Sequence, residues 1–143
     1  MKTLSCLIAA AALSLSACST SVVDNSEKNL NSLNGEWNVV SVKGESFKLN
    51  GDLSRTFIGF NAKEGRVYGN TSCNSLMATV SYDKNLGLKL GDVASTMMMC
   101  PDMSKEQLLL KTMSQVKDFE IKQDTLYLVD DNKQKLIELK RAK

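Results

Sequence analysis

From Glu36 to Lys140 the chain breaks into short apolar or alternating runs ended by turn-forming residues, and a single segment repeats at helical spacing. Such a pattern specifies a small antiparallel sheet protein with one helix. Glu36 to Val42 carries Trp37, Val39, Val40 and Val42 behind the turn-forming pair Asn34-Gly35. Phe57 to Phe60 and Arg66 to Gly69 are two short strands joined by the turn Lys63-Glu64-Gly65. Met77 to Tyr82 and Leu86 to Leu90 alternate in polarity, as strands with one wet face do. Phe119 to Lys122, Thr125 to Val129 and Lys135 to Lys140 form a C-terminal meander, with turns at Gln123-Asp124 and at Asp130 to Lys133.

The exception begins at Ser104. Ser104 and Gln107 have the spacing of a capping box, and Asp102 and Glu106 suit the positive end of a helix. Leu109, Met113 and Val116 then recur at i, i+4 and i+7, with Leu110 beside them and Lys117 in the expected last turn. Pro101, the sole proline, stands just ahead, where its missing N–H does no harm. Strands, one helix, then a meander: an α+β domain whose helix closes one end of a curled sheet.

The N-terminus carries different information. Lys2 precedes an apolar run from Leu4 to Leu15, and small residues lead into a cysteine. This is the layout of a secretory signal. The run is too short for the roughly 20 residues that span a bilayer. Leu15-Ser16-Ala17-Cys18 resembles the bacterial lipobox. The resemblance implies removal of residues 1–17 and a thioether-linked diacylglycerol on Cys18, whose new amino group is acylated. Several chains anchored together hold a protein firmly to its membrane. Ser19 in place of aspartate favours the outer membrane by analogy with enterobacterial sorting, so the expected location is the envelope, with the outer membrane facing the periplasm. Residues 18–32 are polar apart from Val22, Val23 and Leu30 and read as a flexible tether. Residues 33–143 then make one domain with one core.

Charge and composition remove several classes. Lys and Arg number 18 against 16 Asp and Glu, interspersed, so no basic stripe for nucleic acid is present. The chain contains no histidine. That excludes His-dependent acid–base catalysis, Ser-His-Asp triads and His-ligated zinc or copper. No phosphate-loop, dinucleotide or nucleophile-elbow spacing occurs. The chain reads as a non-enzyme without a cofactor. Asp130-Asp131-Asn132 faintly suggests a calcium loop, but it lacks the central glycine and places Arg141 where the glutamate belongs. A hairpin turn is the better reading.

Of four cysteines, Cys6 leaves with the signal and Cys18 takes lipid. Cys73 and Cys100 remain, and in an oxidising compartment a disulfide is the default. Two soft ligands for copper and two buried free thiols are the rival readings.

Three motifs now align with a family. Asn34-Gly35-Glu36-Trp37, Gly69-Asn70-Thr71-Ser72-Cys73-Asn74 and Thr96-Met97-Met98-Met99-Cys100-Pro101 together resemble the META domain of HslJ-like heat-shock lipoproteins. The resemblance spans essentially all of the mature domain. Serine stands at position 72, where the family usually has glycine. The resemblance implies a partly open β-barrel, here of about eight strands, with the helix between the N-terminal strands and the meander. It also implies a role in stress response and envelope integrity, without known enzymatic activity.

Read bottom-up, Trp37 is a core aromatic closing one barrel end, although Gly35-Glu36-Trp37 also matches the Gly-x-Trp of lipocalins. Asn74 suits a turn-bonding amide. Thr96 and Met98 fall on one face of a strand and Met97 and Met99 on the other, with the methionines as adaptable core filler. The leading expectation is a monomeric, lipid-tethered binding or accessory module acting on an envelope protein or small ligand. Its binding surface would be exposed loops around Thr71, Asn74, Ser75 and Asp102. Two alternatives are a Cu(I) site from Cys73, Met97, Met99, Cys100 and Met103, and a lipocalin-like carrier of a small apolar ligand.

Overall fold

The structure is a computed structural model that describes residues 28–47, 55–71 and 73–143. The expected signal at 1–17, the expected acylation site Cys18, most of the expected tether and Ser72 lie outside the described residues.

A 3-10 helix, Leu30–Leu33, leads into the strands β1 Gly35–Val42, β2 Glu45–Ser46, β3 Phe57–Asn61, β4 Arg66–Asn70, β5 Ser75–Asp83, β6 Gly87–Leu90 and β7 Ala94–Ser95. Helix α1, Ser104–Met113, follows, and β8 Asp118–Lys122, β9 Thr125–Val129 and β10 Lys135–Arg141 complete the chain. Eight strands lie in the order β6-β5-β4-β3-β1-β10-β9-β8, all neighbours antiparallel, with β2 beside β1 and β7 beside β5. The sheet curls into a nearly closed barrel, as the sequence and the resemblance imply.

Closure is made at one narrow point. The amide of Leu88 donates to the carbonyl of Lys117 at 2.8 Å, joining the start of β6 to the residue before β8. Gly87 makes this approach possible. Its φ is +78°, and a Cβ there would sit 2.3 Å from the Lys117 oxygen.

Alternation puts one face of each strand inward. Trp37, Ile58, Val67, Leu76, Leu88, Phe119, Leu126, Leu128, Ile137 and Leu139 form one continuous buried core. At one end Trp37 donates its indole N–H to the Leu33 carbonyl at 2.7 Å, and the Arg141 guanidinium lies over its ring, 4.1 Å from the centroid. At the other end α1 presents Leu109 and Met113 to the core, and Val116 joins them from the turn beyond.

Several expectations need correction. The helix stops at Met113 instead of reaching Lys117. Ser104 is its first residue, not its cap. The cap position is Met103, which makes no side-chain capping bond, and Asp102 just before it accepts at Oδ1 from the Ser104 amide at 2.9 Å and hydroxyl at 2.6 Å. Leu86 is exposed at a turn instead of opening a strand. The described chain already packs at Lys28, whose ammonium meets the carboxylate of Asp118 at 2.9 Å, while Leu30 rests on the core. Residues 28–32 therefore belong to the domain, because a long-range ion pair and an apolar contact fix a stretch whose composition alone is tether-like. Thr96 to Cys100 forms no strand.

Candidate functional site

The loop between β4 and β5, the loop before α1 and the first turn of α1 meet at one end of the barrel. Three side chains bind them together. Thr71 is 1% exposed, Asn74 0% and Glu106 4%. In the β4–β5 turn the Thr71 amide donates to the Asn74 carbonyl at 2.8 Å, and the Asn74 amide donates to Thr71 Oγ1 at 3.2 Å. Thr71 Oγ1 in turn lies within donating distance of the Asn74 carbonyl, 2.9 Å, and Glu106 Oε2, 3.0 Å.

Asn74 spends its whole amide here. Its Nδ2 donates to both Glu106 oxygens at 3.0 Å and to the Met98 carbonyl at 3.3 Å. Its Oδ1 accepts from the Met98 amide and the Thr96 hydroxyl, both at 2.8 Å. That donor–acceptor set fixes the orientation of the amide. Beside it, Cys73 and Cys100 are joined in a disulfide with a Cα–Cα separation of 6.3 Å. The two loops and the helix start thus form one rim, stitched by a covalent bond and a buried polar cluster. Buried polar groups persist only when partnered, and these are.

What the rim shows to solvent is equally specific. Ser75, Thr96, Pro101 and Asp102 are exposed, and so are all three methionines: Met97 at 94%, Met98 at 61% and Met99 at 98%. The Ser104 hydroxyl and amide hold the Asp102 carboxyl below the usual range. Among the described residues no group of three or more His, Cys, Asp or Glu gathers in a metal-binding cluster.

A family model for the META domain matches residues 28–143. The chain belongs to the META domain family. Two solved structures share the META fold seen here. One is the NMR structure of a protein from Burkholderia xenovorans, 16% identical, with a TM-score of 0.60 over 79% of this chain and 86% of that one. The other is the crystal structure of a DUF4847 family protein from Bacteroides vulgatus, 15% identical, with a TM-score of 0.55 over 78% of this chain and 94% of that one. No curated protein matches the chain.

The sequence-derived site residues of this META domain separate into two groups. Ser75 and Asp102 are exposed on the rim, whereas Thr71 and Asn74 are buried. Thr71 and Asn74 therefore cannot form an exposed surface; they hold the loops that do. The methionines are corrected in the opposite sense. They are not core filler: all three are exposed, and among the described residues no strand pairs with the segment after Ser95. Of the proposed copper ligands, Cys73 and Cys100 are in the disulfide, Met103 is half-buried at the helix start, and Met97 and Met99 face solvent.

Glu106 was legible only as a helix-start acid. Its inward position is visible in hindsight, since Glu106, Leu109 and Met113 share the i, i+3, i+7 face.

Proposed function

We propose that this META protein is a lipid-anchored envelope lipoprotein that acts by binding, without catalysis, through the exposed rim of its barrel. One observation carries the proposal. The disulfide and the Thr71–Asn74–Glu106 cluster turn the polar atoms of two loops inward and leave Ser75, Met97, Met99 and Asp102 outward on a fixed frame. Rigid scaffolds that display exposed loops are a common basis for recognition. The core filled by Trp37, Phe60, Phe119, Leu126 and Met113 favours this reading over an interior carrier. The signal-like N-terminus with Cys18 supports the anchor, and the absence of histidine supports the non-enzymatic role. The stress and envelope-integrity role comes from the family resemblance.

The test is complementation of a deletion strain scored by envelope permeability to detergent. Cys18→Ala should release the protein from membranes and abolish acyl labelling. A Ser75→Lys, Asp102→Lys variant should stay anchored and folded yet fail to complement, while Lys63→Glu, exposed on the β3–β4 turn, should complement. Full complementation by the rim variant would refute the binding rim. Acyl labelling that survives Cys18→Ala would refute the anchor.

A further inference from the structure

Three consecutive methionines stand in solvent beside a buried asparagine devoted to holding their backbone. The Asn74 amide accepts from the Met98 N–H and donates to the Met98 carbonyl. This is the pair of bonds a neighbouring strand would make, and a residue exchanges both on one side only when it is extended. Side chains in extended backbone alternate, so Met97 and Met99 project to the same side of the segment. The disulfide at Cys100 fixes the segment one residue further on.

Met97 and Met99 are 94% and 98% exposed. Their side chains stand almost wholly in solvent, so both thioether sulfurs are open to a ligand. Met98 between them is 61% exposed, and the exposed rim neighbours Thr96, Pro101 and Asp102 add no further large apolar side chain. What the two share is a pair of free thioether sulfurs on one side of a held backbone.

We propose that Met97 and Met99 form a two-thioether site for a soft monovalent cation, Cu(I) or its isostere Ag(I). Thioethers prefer Cu(I) to harder divalent ions such as Mg(II) or Ca(II). Residues i and i+2 of an extended segment lie roughly 7 Å apart. Each methionine has three rotatable bonds. Two sulfurs that meet on one ion are therefore within reach. Neither ligand has a proton to lose, so affinity is flat in pH where a thiolate or imidazole site would weaken in acid. The proposal deepens the rim reading by naming a ligand class. Its failure leaves a protein-binding rim standing, because metal binding and complementation are read separately.

The experiment titrates Ag(I) into the membrane-purified chain in chloride-free buffer, with free thiols blocked by N-ethylmaleimide and the methionine methyls labelled with carbon-13. The expected result is one saturable Ag(I) per chain, with shifts confined to the Met97 and Met99 methyls and the buried Met113 methyl unmoved. Affinity should agree within twofold between pH 5 and pH 8. Met97→Leu, Met99→Leu should bind at least tenfold more weakly with an unchanged melting temperature, while Met77→Leu, exposed on the outer face of β5, should bind as the parent does. Unchanged binding in the double variant, loss of binding in Met77→Leu, the absence of saturable binding, or equal competition by Zn(II) would each overturn the proposal.

Discussion

The side-chain amide of Asn74 donates to both carboxylate oxygens of Glu106 at 3.0 Å, across 32 positions of sequence. This contact decides how the rim is built. Asn74 begins the approach to β5, Glu106 lies in the first turn of α1, and the same Asn74 amide also holds the Met98 backbone. A polar cluster of this kind stabilises only when every member is satisfied, so it responds sharply to the loss of any one.

Asn74→Ala should therefore be severe for a polar turn substitution. It removes the Asn74 partner of the buried Glu106 carboxylate, which keeps only the Thr71 hydroxyl, and frees the Met98 backbone and Thr96 hydroxyl of two exposed residues. A loss of about 1–3 kcal/mol, dominated by the buried carboxylate, is expected by urea denaturation. Glu106→Gln faces one amide nitrogen toward another and should cost about 1–3 kcal/mol. The double variant should show coupling of about 0.5–3 kcal/mol between the two sites. Strict additivity would mean that the Asn74–Glu106 bonds contribute no energy.

The same residues mark the limit of what the sequence reveals. Strands, turns and the inward helix face were legible because periods of 2 and 3.6 are local properties. The longer strands follow from them to within a residue or two at each end, while the two-residue strands β2 and β7 are too short to carry a period. Thr71 and Asn74 were misplaced on the surface because polar turn residues usually lie there, and their burial depends on a carboxylate far along the chain. Met97, Met98 and Met99 erred the other way. Which side of such a segment is covered depends on whether another strand arrives, and among the described residues none does. Lys28 was assigned to the tether because its partner Asp118 lies 90 positions away. Ligands of this kind are set by packing, which no local pattern records.

The Cys73–Cys100 bond should be present and useful without being indispensable. Thiol titration of the denatured, unreduced mature chain should find no free cysteine. Closing a loop with a sequence separation of 27 restricts the unfolded chain by about 3–4 kcal/mol in the chain-entropy account. The Asn74 bonds join the same two loops, so Cys73→Ala, Cys100→Ala should remain folded with a lower urea midpoint. Two free thiols in the native mature chain would remove the disulfide from the rim.

Gly87→Ala should open the barrel seam. A methyl group at this position meets the Lys117 carbonyl oxygen at 2.3 Å, and the backbone already lies at positive φ. Strain and loss of the Leu88–Lys117 bond together should cost about 2–3 kcal/mol. Hydrogen exchange should place the damage, with faster exchange of the Leu88 amide and of β8 ahead of β1 and β3. Uniform acceleration over the whole barrel would show that the seam is not an independent point of closure.

Asp118 gives the fold a defined response to acid. Burial by itself raises its carboxyl, but hydrogen bonds from Lys133 and Lys28 outweigh burial and hold it below the usual range. The unfolded chain therefore binds this proton at a higher pH than the folded chain, near the ordinary value of about 3.9. The stabilisation is complete well above that value and fades as pH falls through the lowered folded-state pKa. For Lys133 the sign is reversed. Its hydrogen bond to Asp118 raises its pKa, so its share is present below about pH 10 and is lost only in stronger alkali. Both lysine side chains are substantially exposed, at 36% and 59%, which limits each pair to about 1 kcal/mol or less. Asp118→Asn retains an oxygen for the Phe119 amide, a bond of 2.8 Å in the parent, so it isolates the charge. The variant should have a lower urea midpoint than the parent at pH 7, with the gap closing below about pH 4. A gap that stays constant from pH 7 to pH 3 would assign the cost to packing and not to the ion pairs that hold Lys28 against the barrel.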